Sequence, residues 1–229
     1  MRLDKYLATV TDYSRSDAKK LLKSGCVTVA GQVIKDPRCE VDATAVVAVD
    51  GEVLRTATPR YFMLNKPQGY ISATKDREHL TVMELLDEDN LGQLHIAGRL
   101  DIDTTGLLLI TDDGNWSHRV MSPNSDCKKT YLLETEDPIT PEAVKQIEQG
   151  IKLEGEMRST LPATMELIDE HTARLTISEG KYHQVKRMLA AVGNKVDFLH
   201  RERIGDIVLD EDLEPGEYRV LSEREIASV

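Results

Sequence analysis

Strand-like segments outnumber helix-like segments in this chain and do not alternate with them in a regular pattern. Residues 107–110 form a fully apolar run, and the segment 171–178 alternates so that Ala173, Leu175 and Ile177 fall on one face. Such alternation is typical of a half-buried strand. A regular alternation of strands and helices would predict a parallel sheet, and it is missing here. We therefore expect an α+β protein with a mixed, mainly antiparallel sheet.

Two helices are predicted in the larger, C-terminal part of the chain. The first follows Thr140, a suitable N-cap, with Pro141 in its first turn and Gly150 after its end. The second follows Gly180. Its apolar residues recur at helical spacing and are expected to anchor it on one face: Val185, Met188, Leu189 and Val192.

The N-terminal segment predicts a small helix-and-hairpin module. Ser14 and Asp17 resemble a capping box, and Gly25 suits a left-handed helix end, so a helix is expected over residues 15–24. Short strands are predicted at 26–29 and 32–34. The stretch 54–59, which ends in a proline, is typical of a linker, and it divides the chain into domains 1–58 and 59–229.

Charge is distributed unevenly between these two parts. The whole chain carries −11, whereas residues 1–38 hold eight Lys or Arg against four Asp or Glu. On the predicted helix, Arg15, Lys19 and Lys23 recur every fourth residue and share one face. This basic segment suggests contact with a polyanion, although a solvated helix face explains the same pattern.

Composition limits the cellular setting that we expect. No apolar run approaches the roughly 20 residues that cross a bilayer, and the N-terminus lacks the apolar centre of a signal peptide. The three cysteines include no Cys-x-x-Cys pair, which argues against a disulfide framework or a zinc site. We therefore expect a cytoplasmic protein without membrane attachment.

The densest polar cluster is Gly-Arg-Leu-Asp-Ile-Asp-Thr-Thr-Gly at residues 98–106, directly before the apolar run. A turn rich in Asp and Thr explains it without any function. A calcium loop is excluded, because its twelfth position is Asp112 instead of Glu and its later positions are apolar. The Asp-x-Asp-x-Thr spacing also occurs in haloacid-dehalogenase-type phosphatases, but the preceding strand and the regular alternation of that fold are missing.

The same segment, as Gly-Arg-Leu-Asp-x-Asp-Thr-x-Gly-Leu, resembles the signature loop of the pseudouridine synthases. Three further segments resemble motifs of that family in the right order: Asn-Lys-Pro-Gln-Gly at 65–69, Lys-Thr-Tyr at 129–131 and Gly-Lys-Tyr-His-Gln-Val-Lys-Arg-Met at 180–188. The N-terminal module resembles the alpha-L RNA-binding module. Together the motifs cover nearly the whole chain and are most similar to the branch that acts on small-subunit (16S) ribosomal RNA.

The resemblance implies an isomerase that needs no cofactor and no metal. It implies that Asp101 is the catalytic carboxylate, because the family's aspartate directly follows Arg-Leu. It implies that Lys186 is the basic partner of Asp101, with Arg187 as a close alternative. It also implies that Tyr131 stacks on the extruded uracil and assists proton removal from carbon 5, whereas a lone strand tyrosine is more often a core residue.

The resemblance also implies the partner. We expect 16S ribosomal RNA or a small-subunit assembly intermediate as the substrate, with the resemblance suggesting the uridine at position 516 in rRNA numbering, and a monomeric enzyme. RNA contacts are expected from seven residues: Arg15, Lys19, Lys23, Lys66, Arg99, Arg187 and Arg201. Arg99 is also a candidate to fill the space that the base vacates. A large-subunit RNA enzyme and a non-catalytic RNA-binding assembly factor are the alternatives.

Overall fold

The computed structural model describes residues 1–11, 13–42, 45–54, 58–122, 125 and 127–229. The chain divides into two units, Met1–Thr58 and Pro59–Val229. Residues 55–57 of the expected linker lie outside the described residues. None of the helices in the described parts of the chain has the length and apolar character that a membrane span requires.

The first unit packs two helices against a small antiparallel sheet. Its elements are α1 Leu3–Val10, α2 Arg15–Ser24, β1 Val27–Val29, β2 Gln32–Val33, β3 Val47–Val49 and β4 Glu52–Leu54, with strand order β2-β1-β3-β4. The expected cap of α2 is confirmed, since the Ser14 side chain accepts a hydrogen bond from the Asp17 amide and Gly25 is left-handed. Helix α1 was not predicted, because it is short and no side chain caps its N-terminus.

The core of the first unit explains why α1 forms. Leu3 and Leu7 lie one turn apart and are buried with Leu22 of α2. The Asp4 carboxylate between them is also inaccessible to solvent, and Arg2 and Arg15 bind it at 3.0 and 3.2 Å. A buried charge needs such partners, so Arg15 has a structural contact in addition to its exposed position.

The second unit is built on a nine-stranded sheet. Its elements are β5 Tyr61–Lys66, β6 His95–Ala97, β7 Thr105–Thr111, α3 Gly114–Met121, β8 Lys129–Thr135, α4 Pro141–Gln149, β9 Thr164–Leu167, β10 Thr172–Ile177, α5 Gln184–Ala191, β11 Val196–Ile204, β12 Ile207–Val208, β13 Tyr218–Val220 and α6 Glu223–Ala227, with two 3-10 turns at Val82–Leu85 and Leu91–Gln93. The main strand order is β13-β5-β7-β11-β8-β10-β9; β6 pairs with β7 and β12 with β11.

Strand pairing makes this a mixed sheet. Among the described ladders only β7 and β11 run parallel, with His200 opposite Thr105 and Arg201 opposite Gly106. At this seam the two backbones approach closely, because a Cβ atom on Gly106 would lie 2.4 Å from the carbonyl oxygen of Arg201. Gly106 also has a φ of +99°, which disfavours any other residue. The α+β expectation is confirmed, including its mainly antiparallel sheet.

Both faces of the central strand β7 are buried, which explains its apolar run. Leu107 and Leu109 pack with Trp116 of α3 in one cluster, whereas Leu108 and Ile110 belong to a second cluster on the other face. A strand that is covered on both sides has no polar face. The second cluster also contains the apolar face of α5 and the inward residues of β10, as their spacing predicted.

Candidate active site

Asp101 lies in the loop between β6 and β7. The preceding residue, Leu100, is buried, and the Ser72 hydroxyl bonds both its amide and its carbonyl at 2.9 and 2.7 Å. Beyond Asp101, the chain turns at residues 102–104 and enters β7 at the close approach of Gly106 to β11. The loop is therefore anchored on both sides of Asp101.

The start of α5 supplies the groups that contact this carboxylate. Lys186 Nζ lies 3.4 Å from one oxygen of Asp101, and His183 Nε2 lies 3.3 Å from the other. Lys186 Nζ also lies 2.5 Å from Asp103, and this hydrogen bond lowers the pKa of the Asp103 carboxyl. The ammonium group thus lies between two carboxylates, and its hydrogen bond favours the ionised form of Asp103.

Arg187, the other candidate partner, contacts different groups. Its guanidinium donates to the carbonyls of Tyr182 and Glu154 at 2.9 and 2.5 Å and to the Glu156 carboxylate at 3.3 Å. Within the described part of the chain, the structure therefore brings Lys186, and not Arg187, to Asp101. Arg187 joins the turn before α5 to the segment that contains Glu154 and Glu156.

Tyr131 of β8 is linked to the same loop through Arg201 of β11. The Arg201 guanidinium lies 3.4 Å from the Tyr131 hydroxyl and 5.9 Å from the centre of its ring. It also donates to the carbonyl oxygens of Gly98 and Leu107 at 2.8 and 2.9 Å. One buried cation therefore ties the tyrosine to the two ends of the segment that carries Asp101.

Two of the cations expected to bind RNA are in the interior, where the sequence analysis had placed them at an RNA-binding surface. Lys66 is 0% exposed and Arg201 is 2% exposed. The Lys66 ammonium donates to the carbonyls of Pro67 and Thr104 at 3.0 and 2.8 Å, and burial lowers its pKa to about 8. These side chains support the loop from inside and do not reach a phosphate at the surface.

The sequence held a signal for one of these positions. In β11, Arg201 follows Leu199 by two residues, and both point to the buried face of the strand. A charge at such a position stays buried only when several acceptors surround it, and carbonyl acceptors are invisible in a sequence. Of the other expected RNA contacts, Arg99, Arg15, Lys19 and Lys23 are exposed.

His183 is the residue of this site that the sequence analysis left without a role. It precedes α5 in a left-handed backbone conformation, with φ 46° and ψ 38°. Its ring stacks on that of Tyr182, with a centroid distance of 3.8 Å and an interplanar angle of 21°. Its place in the Gly-Lys-Tyr-His motif was the only available signal.

Comparison with known proteins agrees with this fold. Residues 60–191 match the family described as RNA pseudouridylate synthase, and residues 1–47 match the S4 domain. The chain belongs to the pseudouridine synthase family and is an enzyme of that class, with an RNA-binding S4 domain at its N-terminus. The expected family and accessory module are thereby confirmed.

Its relatives are similar over the full length. The chain is 54% identical over 230 residues to the ribosomal small subunit pseudouridine synthase A of Salmonella typhimurium, covering 100% of both, and 53% identical to that of Escherichia coli K12, also covering 100% of both. A solved structure described as a crystal structure of pseudouridylate synthase superposes with a TM-score of 0.74 at 46% identity, covering 100% of this chain and 99% of the other.

Proposed function

We propose that this enzyme converts one specific uridine of 16S ribosomal RNA to pseudouridine, in the free RNA or in an assembling small subunit. The full-length similarity to enzymes named for the small ribosomal subunit supports this substrate. The motif resemblance suggests the uridine at position 516 of that RNA. We further propose that the enzyme acts in the cytoplasm as a monomer.

The observation that carries the mechanism is the paired carboxylate of Asp101. The reaction breaks the bond between N1 of the base and C1′ of the ribose and forms a bond from C5 to C1′. The proton on C5 is lost and N1 gains one, so the product is an isomer of the substrate and no external oxidant or reductant is consumed. An ionised carboxylate at C1′ can bond to that carbon or stabilise its developing charge, as in glycosidases.

Asp101 and Asp103 have different surroundings, and these support different roles. The Asp101 side chain is 29% exposed and has a partner on each oxygen. The Asp103 side chain is 62% exposed, and Lys186 is its ion-pair partner. We assign the reaction at C1′ to Asp101. We propose that Asp103 orients the Lys186 ammonium.

Tyr131 is assigned to the extruded base. A uracil inside a helix cannot reach Asp101, so the nucleotide must flip out, at a cost of a few kcal/mol. Stacking on an aromatic ring offsets part of that cost. The Tyr131 hydroxyl, held at 3.4 Å from Arg201, is the candidate to assist removal of the C5 proton.

Local positive charge supports RNA binding by an acidic protein. Lys19 and Lys23 lie exposed on α2 of the S4 domain, Arg15 shares that face while bound to Asp4, and Arg99 lies exposed beside Asp101. Phosphate contacts depend on such local cations and not on net charge. The surplus of negative charge elsewhere opposes non-specific binding by repulsion.

Tritium release from RNA labelled at carbon 5 of uridine tests the proposal. The wild type, Asp101→Asn and Asp103→Asn would be compared with EDTA present, on free 16S RNA, on partly assembled small subunits and on large-subunit RNA. We expect release by the wild type from a small-subunit substrate, none by Asp101→Asn, and reduced release by Asp103→Asn.

The other outcomes are informative. Release from large-subunit RNA alone would replace the proposed substrate. If Asp101→Asn kept full activity and Asp103→Asn lost it, the reaction at C1′ would be assigned to Asp103 instead of Asp101. Loss of wild-type release in EDTA would contradict a metal-free reaction.

A further inference from the structure

The most exposed aromatic side chain in the described part of the chain, Tyr182, lies next to a residue that contacts the loop carrying Asp101. Tyr182 is 74% exposed, although tyrosine as a residue type is intermediate between buried and exposed. It directly precedes His183, whose imidazole contacts Asp101 at 3.3 Å. A single exposed ring is ordinary on a protein surface; what distinguishes Tyr182 is its place beside a side chain that contacts Asp101.

The ring of Tyr182 is held in place from below. One face stacks on the His183 imidazole at 3.8 Å, nearly parallel to it. With that face covered and most of the side chain exposed, the accessible surface includes the opposite face. The stack thus extends outward from the Asp101 carboxylate through His183 to Tyr182.

The backbone of this turn is also fixed. The carbonyl of Tyr182 accepts a hydrogen bond from Arg187 at 2.9 Å, and the Lys181 amide donates to the side chain of Gln184 at 2.8 Å. Gln184 is itself 4% exposed. Together with the left-handed conformation of His183, these contacts keep the two rings out of the apolar core. A preorganised ring loses little conformational entropy on binding.

RNA supplies a flat partner at this place. When the target uridine flips out, the nucleotides on either side of it lose a stacking neighbour. Aromatic side chains bind such unstacked bases through their faces, with little dependence on base identity.

We infer that Tyr182 is a binding platform on which a base adjacent to the target uridine stacks when the target enters the site. Tyr182 is then a substrate-binding residue outside the chemistry at C1′. This inference rests on the proposed function, because it places the RNA strand at Asp101. Only the ring is required, and the hydroxyl is dispensable.

Steady-state tritium release from a short 16S fragment tests this role. Stacking of one base on an aromatic side chain contributes roughly 5- to 150-fold in binding. We expect Tyr182→Ala to raise KM by about tenfold or more, with kcat within about twofold of the wild type. Tyr182→Phe and the control Val220→Ala, at a 63% exposed position on β13, should match the wild type.

Abasic substrates identify the stacked base directly. The fragment is prepared with an abasic ribose at the 5′ or the 3′ neighbour of the target uridine. One of these abasic substrates should raise KM for the wild type and for Tyr182→Phe. It should cause no further rise in KM for Tyr182→Ala, because that variant has already lost the contact between the ring and the base.

Each alternative outcome overturns the inference in a recognisable way. An unchanged KM in Tyr182→Ala, or additive losses with both abasic substrates, excludes the platform. A fall in kcat with unchanged KM shows that Tyr182 only supports His183. A wild type that is silent on the fragment, on free 16S RNA and on partly assembled small subunits would instead contradict the proposed substrate, so the two failures are distinguishable.

Discussion

The parallel seam between β7 and β11 offers a direct test of how this site is built. Gly106 lies there with a φ of +99°, and an added Cβ would be 2.4 Å from the carbonyl oxygen and 2.8 Å from the amide nitrogen of Arg201. In Gly106→Ala, the positive φ costs about 1–2 kcal/mol. Separating the two backbones costs about 1–3 kcal/mol more. We expect the free energy of unfolding to fall by about 2–5 kcal/mol.

A second glycine separates the two contributions. Gly155 also has a positive φ, +76°, but an added Cβ there would meet no atom within 4 Å. Gly155→Ala should therefore lose only the conformational part, about 1–2 kcal/mol. The difference between the two variants measures the close approach at the seam.

Urea unfolding followed by tryptophan fluorescence is the suitable assay. Trp116 is the only tryptophan of the chain, it is 1% exposed, and it packs with Leu107 and Leu109 of β7. The signal therefore reports the second unit alone. With a urea dependence of about 2–3 kcal/mol per molar, the midpoint of Gly106→Ala should fall by about 1–2 M. Equal midpoints for both variants would refute the seam argument.

Three further predictions follow from charges at other places. Burial lowers the pKa of Lys66 from 10.5 to about 8, so between these pH values the unfolded chain binds more protons than the folded chain. The free energy of unfolding should therefore rise from pH 8 to 10. Urea titration at several pH values should show a smaller rise in Lys66→Met. In Lys19→Gln and in Lys23→Gln, the slope of log affinity against log salt should decrease in magnitude by about 0.7. Filter binding at several salt concentrations measures this slope. Unchanged slopes would show that α2 does not contact RNA. Hydrogen bonds from Arg219 lower the pKa of Glu225 to about 2, so its stabilisation is present above pH 4.5 and lost as the pH falls towards 2. The difference in Tm between wild type and Glu225→Gln should shrink over that range, and a constant difference would contradict it.

Local elements of this protein could be predicted because their signals lie within a few residues. The cap of α2 depends on Ser14 and Asp17, three positions apart, and the buried face of β10 depends on alternation alone. The loop that carries Asp101 was recognisable for a related reason, since its motif is a continuous stretch. The family followed from four such stretches in order.

The partners of the loop that carries Asp101 could not be predicted from local spacing, and only the family resemblance suggested Lys186. Lys186 reaches Asp103 across 83 positions of the chain, and Arg201 reaches Gly98 across 103. Spacing does not distinguish adjacent lysine and arginine residues; the resemblance placed Lys186 first, and in the structure the Lys186 side chain contacts Asp101 whereas that of Arg187 contacts other groups.

Burial of charge was likewise decided by the tertiary structure. Lysine and arginine usually lie at the surface. Lys66 and Arg201 are nevertheless buried, and main-chain carbonyls of the loop accept hydrogen bonds from both and replace water around their charges. The sequence by itself determined helices α2, α4 and α5, the alternating face of β10 and the loop that carries Asp101, because these depend on local spacing. Only the tertiary structure, with its parallel pairing of β7 and β11, decided which cations are buried behind the loop and which are exposed, because this depends on strands distant in the chain.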